Sequence, residues 1–187
     1  GGFDPCRKVP TRANSLSLAR FDRNDYSVPV AYAHHEILVK GYVDRVLLVH
    51  KLCVVAEHRR SWGKEGVFFN YLHYLPLLER KPGAIDHARP MADLNLPGCF
   101  NVLRRRLENE QQKQGDGTRE FIRVLRLLED YPMSRLEGAV EKGLVMRVHS
   151  RDGIAQFLSP RSSLQRSTFL LDGQKHFCRV KVDKPDI

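Results

Sequence analysis

The stretch from residue 14 to residue 62 constrains the fold most, because it contains most of the strand-forming pattern in the chain. Apolar and polar residues alternate over 16–21, and runs rich in β-branched and aromatic residues follow over 26–30, 37–42, 43–49 and 52–56. Asn24 is predicted to take the left-handed conformation of a turn, Gly41 to form a bulge or a bend, and His50 and Lys51 to form a hairpin turn. Four or five short strands with short connections are typical of a small β-barrel, whose closure removes exposed edges.

The remainder of the chain has the period of helices. Pro76 fits the first turn of a short helix that ends at Pro82. After residue 93, apolar residues recur at helical spacing in three further segments, and Thr118 is predicted to cap the second of them. A short fourth segment lies around 154–158.

These patterns predict an α+β fold, with a small antiparallel β-barrel followed by a short α-helical region. We divide the chain into a linker (1–13), the barrel (14–72), a helix with a connecting segment (73–92), a helical region (93–158) and a C-terminal extension (159–187). The extension could contain two strands around the turn signal Asp172-Gly173.

The net charge of +9 predicts a polyanionic partner. Lys and Arg outnumber Asp and Glu by 13 to 8 over residues 1–81 and by 18 to 14 over residues 82–187, so the excess is not confined to a tail. Nucleic acid is the commonest such partner. The alternative from charge alone is a basic surface that is simply solvated.

No catalytic or metal site is predicted in this chain. It contains no G-x-S-x-G, P-loop, G-x-G-x-x-G or H-E-x-x-H pattern, and the adjacent His34 and His35 would point to opposite faces of a strand. The four cysteines lack C-x-x-C spacing, which favours a reducing cytoplasm. No apolar run reaches 18 residues, so we predict neither a membrane span nor a membrane partner.

Basic, polar and aromatic side chains beside the predicted strands are the candidate DNA contacts. Lys40 and Tyr42 share strand parity, whereas Arg45 has the opposite parity unless Gly41 forms a bulge. Trp62 could instead be a core residue, and the cations that end the first helix could simply interact with its dipole. The candidate contacts are Arg20, Arg23, Asn24, Tyr26, Lys40, Tyr42, Arg45, Arg59, Arg60, Trp62, Arg80 and Lys81.

The order of four motifs resembles the C-terminal part of IstA-type insertion-sequence transposases, bacterial relatives of the phage Mu transposase in the superfamily of retroviral integrases. The motifs are NSLSLARFDRNDYSVPVAYAHHEILVKGYVDRV, HRRSW, HYLPLLERKPGAIDHARP and TREFIRVLRLLEDYP. The resemblance implies a barrel and helical region that follow a catalytic core, in which Asp, Asp and Glu hold two Mg²⁺ ions. No residue of this chain matches those ligands, so we expect no cofactor here and no enzymatic activity of its own.

The resemblance also implies partners: double-stranded DNA, other transposase subunits in a homo-oligomer, and a helper ATPase. It implies a bacterial protein of the cytoplasm that is associated with the nucleoid. The leading hypothesis is a module that binds the DNA backbone and supports transposition. One alternative is a protein-interaction scaffold for oligomerisation or for docking of the ATPase. Another is an RNA-binding barrel, for which the chain lacks a readable aromatic platform.

Overall fold

The computed structural model describes residues 5–92, 94–110 and 115–158, and within these ranges all strands precede the α-helices. The strands are β1 (Arg7–Arg12), β2 (Leu18–Phe21), β3 (Asn24–Ser27), β4 (Glu36–Gly41), β5 (Arg45–His50), β6 (Cys53–Arg59) and β7 (Val67–Phe68). The helices are α1 (Leu75–Arg80), α2 (Gly98–Glu110), α3 (Asp116–Leu125), α4 (Met133–Met146) and α5 (Arg151–Leu158). The predicted α+β class is confirmed.

The strands form two sheets, and no closed barrel is found among the described residues. The order of one sheet is β1-β4-β5-β6, with antiparallel neighbours, and the order of the other is β2-β3-β7. In the second sheet β3 pairs with β7 in parallel, over two residue pairs only. The single antiparallel barrel is therefore not confirmed, because the short strands β2 and β3 pair with each other and with β7 and do not continue the larger sheet.

Residues 1–13 were predicted to be a linker, but this prediction is wrong for Arg7–Arg12. These residues form β1 and pair with β4 along its whole length, from Arg7 opposite Gly41 to Arg12 opposite Glu36. Pro10 obscured the pattern, since proline lacks the amide hydrogen that a central strand needs. It is tolerated here because β1 lies at the edge of its sheet.

Two hairpins turn through pairs of residues with positive φ. Asp22 and Arg23 have φ values of 47° and 63°, and Lys51 and Leu52 have values of 46° and 71°. Two such central residues characterise the tight turn that suits the twist of paired strands. The hairpin predicted near Lys51 is confirmed, shifted by one residue. The left-handed conformation predicted for Asn24 falls instead on the two residues before it.

Gly41 does not form the predicted bulge. It ends β4, and a Cβ built on it would lie 2.6 Å from Cε1 of Phe21, so glycine is needed there to let the aromatic ring of β2 pack against the larger sheet. The register shift of the larger sheet lies elsewhere, between Leu48 and Val49 of β5.

The apolar residues form two cores. One lies between the sheets and includes Phe21, Tyr26, Val39 and Leu48. The other lies among the helices and contains the residues predicted from helical spacing, such as Phe100, Leu103, Leu107, Phe121 and Leu125. Burial of these two apolar sets is the main stabilising contribution to each part.

Thr118 does not cap α3, because this helix begins two residues earlier. Gly115 precedes the helix with a φ of 93°, and the hydroxyl of Thr118 donates a hydrogen bond to Oε1 of Glu108, at 3.1 Å. Within the described ranges, no helix has the length and apolar character needed to cross a membrane. The two strands predicted around Asp172-Gly173 lie outside the described residues.

Candidate nucleic-acid interface

Four of the predicted DNA contacts lie on the outer face of the larger sheet. Val39, Val46 and Leu48 are buried on its inner face, so the residues that alternate with them point outward. We call the basic and aromatic members of this outward set the basic face: Lys8 on β1, Lys40 and Tyr42 on and after β4, Arg45 on β5 and Arg59 on β6. Glu36 and Glu57 point to the same side of the sheet.

Arg45 shares this face with Lys40 and Tyr42, contrary to the parity expected from the sequence. The amide of Tyr42 donates a hydrogen bond to the carbonyl oxygen of Arg45, at 2.9 Å, which makes the two residues cross-strand partners. The guanidinium carbon of Arg45 also lies 5.3 Å from the centroid of the Tyr42 ring. Parity counted along the chain fails here because the hairpin between β4 and β5 reverses the strand, and pairing then decides the face.

Like charges lie directly opposite each other twice on the basic face. Lys8 pairs with Lys40 across β1 and β4, and Arg45 pairs with Arg59 across β5 and β6. Glu57 is an acidic neighbour on this side of β6, and its Oε1 lies 3.9 Å from Nη1 of Arg45. Like charges in cross-strand positions destabilise a sheet. The arrangement therefore concentrates positive potential at a cost in stability.

Lys8 was missed by sequence reasoning because it was assigned to the linker. The signal that could have found it is the alternation around Val9 and Thr11, which occupy the inward positions opposite Val39 and Ile37. Lys8 and Arg12 then share the outward parity.

Asn24 and Tyr26 were predicted to contact DNA, but both are completely buried. The Asn24 amide donates to the carbonyl oxygens of Ser61 and Gly63, at 3.3 and 2.8 Å, and its Oδ1 accepts the amide of Gly66 at 2.9 Å. The Tyr26 hydroxyl accepts the amide of Ser61 at 3.1 Å. With no surface left for DNA, these two side chains hold the loop of residues 61–66 in place.

Arg60 is also a structural residue, since its side chain is only 10% exposed. Nη2 donates to Oδ2 of Asp22 and Nη1 donates to the carbonyl oxygen of Tyr42, both at 2.6 Å. Both terminal nitrogens of Arg60 are therefore engaged within the fold, and its Nε is buried without a hydrogen-bond partner among the described residues, so the predicted phosphate contact gains no support from the structure. Charge reversal at this position would leave Asp22 facing a second carboxylate.

Trp62 is 69% exposed, so the alternative of a core tryptophan is wrong. The guanidinium carbon of Arg60 lies 3.8 Å from its ring centroid. The arginine therefore packs on one face of the indole, with a cation–π contribution.

The remaining predicted contacts are spread over other surfaces. Arg20 is exposed but forms ion pairs with Glu65, at 3.1 Å, and with Asp25, at 3.5 Å. Arg23 is exposed at the hairpin turn between β2 and β3. Arg80 and Lys81 are exposed at the C-terminal end of α1, in the helical part of the chain. The structure does not place these four residues on the basic face.

Two buried histidines join the sheets to the segment before α1. His73 lies in a short 3₁₀ helix (Tyr71–Tyr74), and its Nδ1 lies 2.9 Å from the hydroxyl of Ser27. His58 donates from Nε2 to the carbonyl oxygen of Ser27, at 2.7 Å, and its ring packs against that of His73. Desolvation lowers the pKa of both imidazoles, that of His73 to about 4 with a further contribution from His58. Both rings are therefore neutral near pH 7.

One group of side chains in the described part of the chain could bring three potential metal ligands together. The ligand atoms of Cys99, Glu137 and Glu141 lie within 4.8 Å of one another. Burial, together with the carboxylates of Glu137 and Glu141, raises the pKa of the Cys99 thiol. The thiol is therefore held in its protonated form, which is a weak metal ligand.

Comparison with known proteins connects the chain to transposition. Residues 1–70 match the family model of the Mu transposase, C-terminal domain. A transposase of Aminobacter aminovorans is 30% identical over 156 residues, which cover 79% of this chain and 30% of that protein. Transposases for insertion sequences IS1326/IS1353 of Pseudomonas aeruginosa and Shigella flexneri are each 29% identical over 161 residues, or 83% of this chain and 31% of those proteins.

The chain thus spans about a third of the length of the curated relatives it matches. No solved structure matches it significantly. Residues 1–70 are therefore similar to the C-terminal domain of Mu transposase, and most of the chain is similar to a part of insertion-sequence transposases.

Proposed function

We propose that this chain is a non-catalytic module that binds duplex DNA through phosphates on its basic face and so supports transposition of a bacterial insertion sequence. The observation that carries the proposal is the pair of like-charged cross-strand contacts, Lys8 with Lys40 and Arg45 with Arg59. Similarity to bacterial transposases supports the DNA partner and a cytoplasmic setting near the nucleoid.

The geometry of the basic face suits a DNA backbone. The four cations come from four neighbouring strands, which at about 4.8 Å per strand spacing extend over about 14 Å. Duplex DNA carries one negative charge per about 1.7 Å of its axis, so several phosphates can approach a face of this width. Contacts of this kind position a protein on DNA and carry no base sequence information of their own.

Binding would also relieve the repulsion within the sheet. In the free protein the two arginines opposite each other repel, and Glu57 offsets part of the charge of Arg45, whereas a phosphate between two such cations interacts favourably with both. Like-charged pairs on this surface therefore lower the stability of the free protein and raise its affinity for DNA.

Arg59→Glu tests this exchange, because it should change stability and DNA affinity in opposite directions. The new carboxylate would lie opposite Arg45, and an opposite-charge pair in place of a like-charge pair should raise the free energy of unfolding by about 0.2–1 kcal/mol. Affinity for a random duplex should fall, and the slope of log K against log salt should become shallower by about 1. Urea denaturation and fluorescence anisotropy at several salt concentrations measure the two effects.

Lys142→Glu is the matched control, since Lys142 is exposed on α4, outside the basic face. It makes the same change in net charge and should leave affinity and salt slope nearly unchanged. Equal losses for the two variants would mean that net charge alone determines binding. Unchanged affinity in Arg59→Glu would contradict the proposed interface.

A second candidate function is a scaffold for other transposase subunits or for a helper ATPase. It is favoured by two adjacent apolar side chains at the C-terminal end of α4, Val145 and Met146, which are 84% and 64% exposed. Exposed apolar residues that lie together are common in protein interfaces. Concentration-dependent dimerisation in sedimentation experiments, without DNA binding at physiological salt, would favour this function.

A further inference from the structure

Three side chains form a stack at the end of β6, directly after Arg59 of the basic face. The guanidinium carbon of Arg60 lies 5.4 Å from the ring centroid of Phe21 and 3.8 Å from that of Trp62. Phe21 is buried at 2% exposure, whereas Trp62 is 69% exposed. Because the guanidinium covers one face of the indole, this exposure comes largely from the opposite face, which is open to solvent.

The stack is held rigidly from below. Arg60 is anchored through Asp22 and through the carbonyl oxygen of Tyr42, a residue of the basic face. Asp22 in turn accepts a second ion pair from Arg7, at 2.7 Å. The guanidinium plane therefore has little freedom to turn, and neither does the ring that packs on it.

The loop that carries Trp62 is fixed as well. Asn24 is hydrogen-bonded to Ser61, Gly63 and Gly66, and Tyr26 is bonded to Ser61, so buried groups of β3 hold the backbone on both sides of the tryptophan. The loop is thus supported by two polar side chains of β3 that are buried for this purpose. Trp62, which the loop carries, does not belong to either apolar core. A rigid, exposed aromatic surface loses little entropy on binding.

The chemistry of the open face favours a neutral ring over a cation. Aromatic faces attract cations, but Arg60 already occupies one face of this indole, and a second cation opposite it would be repelled. A nucleobase offers a flat π-surface, and its phosphates would be attracted by the neighbouring Arg45 and Arg59. Bases inside a duplex are stacked on both sides and the last base pair offers one face only at its end, whereas an unpaired base can turn away from its neighbours and lie flat on the indole.

We propose that the open face of Trp62 stacks an unpaired nucleobase, so that the chain prefers DNA with an unpaired end to fully paired duplex. The proposal rests on the proposed function, since phosphate contacts on the basic face bring the DNA to the tryptophan. It adds a class of substrate: a junction between duplex and single strand.

Trp62 is the only tryptophan of the chain, so its fluorescence reports directly on this site. The experiment compares a blunt duplex, the same duplex with a short unpaired overhang, and the same duplex with an abasic overhang that keeps the phosphates without the bases. We expect the indole fluorescence to be quenched by the overhang that carries bases, and not by the blunt duplex or the abasic overhang. Stacking contributes about 1–3 kcal/mol per base, so the overhang should raise affinity over the abasic probe by about 5- to 150-fold.

Trp62→Ala should remove this preference, so that the overhang and the abasic overhang bind with equal affinity, as measured by anisotropy. Trp62→Phe should keep part of the preference, because it retains an aromatic face. Leu52→Ala is the matched control, since Leu52 is 98% exposed on the opposite hairpin, and it should keep the full preference. Thermal melting checks that each variant is folded.

The outcomes separate this inference from the proposed function. Equal quenching by all three probes, or a preference that survives in Trp62→Ala, overturns the stacking site while blunt-duplex binding still supports the basic face. Absence of binding to every probe at low salt overturns both.

Discussion

Gly117→Ala should lower the free energy of unfolding by about 3 kcal/mol, measured by urea denaturation. Gly117 is buried in the first turn of α3, where this helix crosses α2. A Cβ built on it would lie 2.6 Å from the carbonyl carbon of Leu107 and 2.7 Å from Cα of Glu108. These atoms belong to the backbone of α2, so no side chain can rotate away and the two helices must separate.

Gly138→Ala is the control for helix propensity. Gly138 lies within α4, and a Cβ built on it would meet nothing within 4 Å. Alanine should therefore stabilise this variant by about 0.5–1 kcal/mol. Similar effects of the two substitutions would show that α2 and α3 do not approach each other as closely as described.

Acidification should destabilise the protein through His73, by about 2–3 kcal/mol between pH 7 and pH 4. Burial lowers the pKa of this imidazole from 6.5 to about 4. As the pH falls below 6.5, the unfolded chain takes up a proton that the folded protein does not yet bind, and stability decreases. The contribution of His73 is complete above pH 6.5 and is lost as the pH approaches 4.

Unfolding free energies of the protein and of His73→Asn, measured across this pH range, check the prediction. Asparagine can accept the hydroxyl of Ser27 in place of Nδ1 but does not titrate, so the variant should show a shallower pH dependence. The remaining slope includes His58, whose pKa is lowered mainly by burial, and the carboxylates. Arg80 and Glu129 line the cavity beside His73 and are unchanged in the variant. His87→Asn makes the same substitution at an exposed position and is the matched control.

Local patterns predicted the secondary structure well where one face of an element is buried. The spacing of Phe121, Val124 and Leu125 predicted their burial in α3, and the hairpin near Lys51 was predicted from two flanking apolar runs. β1 was missed, because Pro10 and the basic residues around it hide a strand that is half-exposed at a sheet edge. The inward positions of β1 include Val9 and Thr11, of which only Val9 is strongly apolar, so the alternation is weak.

The candidate site was predicted only in part, for a different reason. Lys40, Arg45 and Arg59 were identified as basic residues near strands, and all three lie on the basic face. Arg60 and Asn24 are also basic or polar residues next to predicted strands, but their side chains form hydrogen bonds inside the fold. Whether a polar side chain meets solvent depends on partners that are distant in the chain, such as Asp22 for Arg60.

The amino-acid sequence alone was sufficient for the α+β class, for a strand-rich part followed by a helical part and for the basic character, because these follow from composition and from periods of a few residues. Tertiary contacts settled which cations share a face, why Asn24 is buried and how Trp62 remains exposed. Those outcomes depend on pairing between β1 and β4, and on contacts between residues 24 and 61–66. Such pairings are chosen by the free energy of the whole fold, so no local stretch of residues contains them.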